Sequence, residues 1–244
     1  MLSPMIHRLW MTVFLCGSMV ETQSNAEVVN RRFGSSPPVR YVAPQSFPQG
    51  CSVPLILAST SPIRLHLLAQ AGVEAVPIAP QVDEDSVKQS HDGDAPSLAL
   101  RLAEAKALSL DRTGDLVIGS DSTLSVDGRL YSKPNDRAEA ARHLAQFSGR
   151  QMILSSAVAL ARDGAIEWSF VDSASLTVRT LSPGFIDSYL ESEWPDVAYC
   201  VGVFRMEGRG ATLFDRVEGS HFTILGLPLL PLLGALRKSG AMAA

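Results

Sequence analysis

From Pro54 onward the chain alternates short apolar runs with amphipathic stretches, and their periods predict the elements. Leu55-Ile56-Leu57-Ala58 is a continuous apolar run of strand length, expected to be buried on both faces. Ser59-Thr60-Ser61 turns the chain, and Pro62 suits the first position of a helix closing near Gly72. Asp94 and Pro96 open a second helix that reaches about Leu110. Leu116-Val117-Ile118-Gly119 reads as a buried strand ending at Ser120-Asp121-Ser122. Asp127-Gly128 marks a tight hairpin, and Asp136 with Glu139 forms a capping-box pattern for a helix ending at Gly149. Strands over 153–161 and 167–178 flank an Asp163-Gly164 turn, a helix opens at Leu181-Ser182-Pro183, and 227–238 forms a last apolar helix. Strands alternate with helices while hairpins force antiparallel pairs. The fold class is therefore α/β, with a mixed twisted sheet and flanking helices.

Residues 1–53 do not share this regularity. Pro37, Pro38, Pro44 and Pro48 stand in Ser-rich surroundings with neither a helical nor a strand period. The apolar stretch from Leu9 to Val20 follows His7 and Arg8, as in a weak secretion signal, but the region after it favours a disordered leader or a misassigned start. The expected organisation is a leader over 1–53 and one folded domain over 54–240, in the cytoplasm.

Composition narrows the function. Hydrophobic residues at 46% and charged residues at 19% exclude wholesale disorder and a coiled coil. A formal net charge of −4 opposes stable binding to nucleic acid. Three scattered cysteines, Cys16, Cys51 and Cys200, exclude a disulfide framework and a paired-cysteine zinc site. No run approaches the roughly 20 apolar residues that span a bilayer, so no membrane partner is expected.

Four lysines among 21 basic residues make each lysine conspicuous. Lys106 projects between Leu102 and Ala99, inside the apolar face of its helix. It either snorkels to the surface or delivers an ammonium into a cleft. Ser59, Ser61 and Arg64 lie on a strand-to-helix turn, where unpaired N–H groups and the helix dipole hold anions; equally, Ser61 is a simple cap. Asp121 is expected just past the end of its strand, where open sheets place ligands, and Lys133 returns after one hairpin. Arg64, Lys106 and Lys133 converging on Asp121 would suit a triphosphate. Asp83-Glu84-Asp85 reads as an acidic loop able to lend one metal-binding carboxylate.

At this point the motifs become specific. Leu55 to Arg64 resembles the opening of the Maf family, the nucleoside triphosphate pyrophosphatases once called septum formation inhibitors. The similarity continues through Val82-Asp83-Glu84, Arg101 to Ala107, Gly119 to Ser122, Ser132-Lys133-Pro134, Glu218-Gly219 and Leu225 to Leu229. The resemblance implies hydrolysis of the α–β phosphoanhydride bond of a nucleotide, giving a monophosphate and pyrophosphate with a divalent metal (Mg, Mn or Co). It implies Asp121 as proton acceptor and Arg64, Lys106 and Lys133 as phosphate-binding cations, beside the Ser59 and Ser61 hydroxyls of the same cradle. It further implies Glu84 and Asp121 at the metal, and two lobes around a cleft, Maf/ITPase-like, often in a homodimer.

The late segment speaks to the base. Arg205-Met206-Glu207-Gly208 carries Glu where most relatives carry Gln, and is similar to the subgroup acting on 7-methyl-GTP. A carboxylate there pairs with a cationic methylated guanine. Ile63 and Ser122 occupy the other two specificity positions, where that subgroup carries a large aromatic and a Gln, and Leu65 replaces a basic residue. The alternatives are the same reaction on dTTP or UTP, and a nucleotide-binding regulator of cell division.

Overall fold

A computed structural model describes residues 55–243, and the expected leader over 1–53 lies outside the described residues. Strand β1 (Leu55–Ala58) feeds helix α1 (Pro62–Gln70), which is followed by β2 (Val76–Ile78), α2 (Glu84–Gln89) and α3 (Ala95–Leu108). The long strand β3 (Leu116–Val126) turns through Asp127-Gly128 into β4 (Arg129–Tyr131), and α4 (Arg137–Phe147) follows. The longest hairpin is β5 (Gln151–Arg162) with β6 (Ala165–Val178), and then comes α5 (Pro183–Glu193). Two short 3-10 turns lead to β7 (Phe214–Glu218), α6 (His221–Ile224) and α7 (Leu229–Lys238). The sheet is mixed. β1 pairs parallel with β2 and β3, and every other pair is antiparallel, in the order β2-β1-β3-β5-β6-β7 with β4 alongside β3.

Local chemistry accounts for the helix starts. Asp94, Asp136 and Ser182 occupy N-cap positions and accept from the backbone N–H of Ser97, Glu139 and Phe185 respectively. Several elements depart from expectation. β2, β7 and the short helix α6 are additional; β7 is mostly exposed, whereas β2 is exposed at Val76 and half-buried at Pro77 and Ile78. Asp83-Glu84-Asp85 is not a loop: Asp83 caps α2 by accepting from Ser86 N at 3.1 Å.

Alternation along the central strands builds two cores on one face. Leu116 and Ile118 of β3, with Val158 and Leu160 of β5, pack against α1 and α7 through Leu67, Leu68, Leu232 and Leu236. Further along the same strands, Leu124, Val126, Met152 and Leu154 pack against α4 and α5 through Leu144, Phe147, Tyr189 and Leu190. Between the two cores, in mid-strand, lies a buried polar waist: Ser120 and Ser156 on the core face, and Asp121, Thr123 and Ser155 on the opposite face. Apolar side chains are replaced by polar ones in mid-strand here, at a desolvation cost that hydrogen bonds must offset.

The opposite face is covered by α3 through small residues. Ala99, Ala103 and Ala107 meet Ala157, Ala159 and Ala161. At Gly119 the backbones nearly touch: a Cβ there would come within 2.1 Å of the Ala103 carbonyl oxygen and 2.5 Å of Ala107 N. Thr123 Oγ1 donates to Ala95 O at 2.8 Å, fixing the start of α3 to the same strand. Lys106 lies between Ala103 and Ala107, where α3 comes closest to β3.

Candidate active site

The site begins as a gap along one edge of β3. β1 pairs with β3 only as far as Gly119, and β4 takes up pairing on the strand from Leu124. Residues Ser120 to Thr123 therefore face an interval where neither neighbour continues. Asp121 was expected beyond the end of its strand. It lies instead in the middle of β3, opposite Ala157, and β1 is the strand that ends beside it. The gap thus lies at the carboxyl end of the parallel strand β1, the place where open sheets put ligands.

Asp121 and Ser122 are consecutive, so their side chains leave on opposite faces. Asp121 turns towards α3. Lys106 Nζ sits 2.6 Å from Asp121 Oδ1 and 2.7 Å from Glu84 Oε1. The lysine is 7% exposed and Asp121 9%, so this ammonium does not snorkel to solvent. Glu84, at the first turn of α2, keeps about two fifths of its side chain in water and also meets Lys88 at 3.5 Å. Burial tends to raise the Glu84 pKa, but the Lys106 bond and the charges of Lys106, Lys88 and Lys133 overcome it, and the net shift is downward.

Arg64, from the first turn of α1, reaches the other side of the gap. It donates to Ser59 Oγ at 3.2 Å, Ser120 O at 2.9 Å, Ser122 Oγ at 3.1 Å and Gly226 O at 2.8 Å. Burial lowers its pKa, opposed by the charges of Asp121 and Glu84. Ser59 is buried and accepts from Arg64 and from Ser61 N at 3.2 Å, which leaves its own proton to donate. Ser61 stands at the N-cap of α1, yet its hydroxyl makes no capping bond, which removes the simple-cap reading.

Three of the expected groups stand further out. Lys133 is exposed on the loop after β4. It makes no ion pair with Asp121, but its charge acts on Glu84 and on Cys200. Ile63 is half-buried in the first turn of α1. Glu207 is exposed on the late loop, where its charge acts on Arg205 and Cys200. Arg205 anchors that loop by ion pairs to Glu193 at 3.2 Å and Asp196 at 3.0 Å. Cys200 stays a thiol near neutral pH, since burial, reinforced by Glu207, pushes its pKa up to about 11. Sequence reasoning missed Gly226, whose carbonyl holds Arg64, and Gly119. A glycine ending an apolar run was the one visible sign of the second.

The Glu84 and Asp121 carboxylates, both on Lys106, offer donor chemistry that a hard divalent cation can use. Two carboxylates whose oxygens both meet one ammonium form a hard-oxygen donor pair. Magnesium-type sites use one or two carboxylates plus substrate phosphates. Among the described residues, no cluster of three or more His, Cys, Asp or Glu is placed to hold a metal alone. The residues fit a metal completed by the substrate.

A family model described as Maf-like protein matches residues 54–239. The 7-methyl-GTP pyrophosphatase of Rhizobium meliloti is 47% identical over 193 residues, covering 77% of this chain and 97% of that protein. A nucleoside triphosphate pyrophosphatase of Nitrobacter hamburgensis is 46% identical over 194 residues, covering 78% and 95%. Among solved structures, the Ham1 protein of Staphylococcus aureus overlaps 76% of this chain and 98% of its own at TM-score 0.40 and 16% identity, too loose a likeness to carry an argument. With the family match running from the residue before β1 to the residue after α7, this chain belongs to the Maf family of nucleoside triphosphate pyrophosphatases.

Proposed function

We propose that this Maf-family pyrophosphatase hydrolyses the α–β bond of 7-methyl-GTP and related modified nucleotides, keeping them out of nucleic acids. The observation that carries the reading is the buried Asp121 carboxylate in the gap of β3, held by a lysine shared with Glu84. Asp121 orients a water and takes its proton as the water oxygen bonds to phosphorus. The bridging P–O bond breaks, and pyrophosphate leaves with the electron pair. Lys106 and Lys133, the Ser59 and Ser61 hydroxyls and the remaining N–H of Arg64 bind the phosphate oxygens. Glu84 and Asp121 would hold the divalent metal, which would neutralise phosphate charge when bound. Ile63 and Glu207 face the base, and Glu207 favours a ring carrying positive charge.

Two relatives named for 7-methyl-GTP support the base assignment at 47% and 44% identity. Ile63, which offers no aromatic surface for stacking, favours the second reading, the same reaction on dTTP or UTP. No helix among the described residues is long and apolar enough to cross a membrane. A nucleotide substrate is consistent with an enzyme of the cytoplasm.

The test is pyrophosphate release by the full chain on 7-methyl-GTP, GTP, dTTP and UTP, each with Mg²⁺, Mn²⁺ or Co²⁺. Monophosphate and pyrophosphate should appear in equal amounts, fastest from 7-methyl-GTP. A preference for dTTP or UTP overturns the base assignment alone. Tight nucleotide binding without turnover under any metal would support a binding regulator instead.

A further inference from the structure

Arg64 is held more completely by the protein than a simple substrate-binding cation requires. A guanidinium has five N–H donors. Nε gives one to Gly226 O, Nη1 gives two to Ser59 Oγ and Ser120 O, and Nη2 gives one to Ser122 Oγ. One donor, on Nη2, is left for an anion. The four partners come from three separate stretches: the turn after β1, two positions on β3, and the glycine before the last helix.

Behind Ser122 the hydrogen bonds run in one direction. Ser156 Oγ donates to Thr223 O at 2.7 Å, and Ser122 Oγ and Ser156 Oγ are 2.9 Å apart. Each hydroxyl has one proton. Ser156 has used its proton on Thr223, so Ser122 must donate to Ser156. Ser122 then has only lone pairs to offer, and one of them accepts from Arg64. Ser156 and Thr223 are fully buried, so water does not compete for the chain of bonds. Gly226 completes the clamp at φ +92°; a Cβ there would come within 3.3 Å of Ser122 Oγ and 3.6 Å of Arg64 Nε.

We infer that Ser122 and Ser156 are positioning residues that aim the Arg64 guanidinium at the triphosphate, and that Ser122 does not read the base. The inference rests on the reading of the β3 gap as the triphosphate site. Its physical content is preorganisation. The side-chain freedom of a long arginine is surrendered on folding, so less is lost when the nucleotide binds. A hydroxyl turned to Ser156 and Arg64 has no proton left for a base edge.

The experiment is steady-state kinetics of the full chain on 7-methyl-GTP, GTP and UTP. The variants are Ser122→Ala, Ser156→Ala, the double variant and Ser122→Thr. Ser155→Ala is the control, because it removes an equally buried hydroxyl that pairs with Ser173 instead of Arg64. Ser122→Ala and Ser156→Ala should each raise KM about 5-fold, by the same factor on every nucleotide, with a smaller change in kcat. The double variant should be no worse than the worse single one, Ser122→Thr should restore KM, and Ser155→Ala should leave it unchanged. A shift in preference among bases with Ser122→Ala would overturn the inference, as would additive effects, or an equal rise with Ser155→Ala. A wild-type chain without activity on any nucleotide would remove the reading underneath. Normal wild-type activity with unaffected variants would remove this inference alone.

Discussion

The two ends of the proposed site are built differently. At the reacting end, Ser59, Lys106 and Asp121 are each under 10% exposed, and α3 is pressed onto β3 at Gly119 so that the lysine and the carboxylate must meet. At the late loop, Glu207 is exposed, and β7 beyond it is exposed along most of its length. Charges enclosed by protein act more strongly than hydrated ones, and fixed geometry lets them act without reorganising. The reacting end is therefore the place to lose rate, and the late loop the place to lose selectivity.

The strongest way to break that contrast is Asp121→Asn. It keeps the size of the side chain and a hydrogen-bonding oxygen for Lys106, but cannot take a proton. Turnover should fall on the order of 10²-fold or more while nucleotide binding survives. Single-turnover kinetics beside a binding titration would check it, and turnover at the wild-type rate would end the role of Asp121 as base.

Lys106→Ala comes next, because it touches stability as well as rate. The substitution leaves buried Asp121 without its 2.6 Å partner and brings Glu84 to bear on it as a like charge. Removing one member of a buried pair costs about 3 kcal/mol, and here the lower end applies because Glu84 stays half in water. Denaturant melts should show that loss, and KM should rise with it. An unchanged midpoint would mean that water replaces the ammonium, and that the site is wetter than its burial implies.

How legible this site was differs along the chain for physical reasons. Lys106 was legible, because a lysine inside the apolar period of a helix has few bland explanations. The starts of α3, α4 and α5 were legible, because an N-cap is a contact over three residues. Asp121 was placed past a strand end because the apolar run stops at Gly119 and the polar Ser120-Asp121-Ser122 follows. Cross-strand partners and α3 pay its burial, and neither is local. The Arg64 bond to Gly226 spans 162 residues, and no period or spacing carries that information. β2 and β7 escaped because a three-residue strand containing Pro77 and a largely exposed, mostly charged strand both lack an apolar alternation to read.

A smaller effect concerns acid. The folded pKa of Glu84 lies below its ordinary value of 4.5, since Lys106, Lys88 and Lys133 favour the carboxylate more than burial opposes it. A depressed acid stabilises the fold in full above its unfolded pKa. That contribution disappears as pH falls through the folded value, so the window lies below about 4.5. Melting temperature should drop as the chain is acidified through that window, and Glu84→Gln should flatten the drop. An identical acid limb in the variant would place the titration on other carboxylates. Partial exposure of Glu84 keeps the expected change modest.

The weakest expected effect tests the other end. Glu207→Gln preserves shape and hydrogen-bonding reach but removes the charge that would favour a methylated, cationic guanine. Because Glu207 is exposed, water competes with the base for its carboxylate, and part of its field is spent on Arg205. The selectivity of 7-methyl-GTP over UTP, measured as the ratio of kcat/KM values, should fall about threefold, less than a buried charge contact would give. Turnover on UTP should hardly change, since the loop is remote from the enclosed Lys106–Asp121 pair in what it touches. If the variant instead lost rate equally on both nucleotides, the late loop would belong to the reacting end, and the division of labour would fail. A ratio that did not move would turn Glu207 away from the base and leave discrimination to Ile63 and its neighbours on α1.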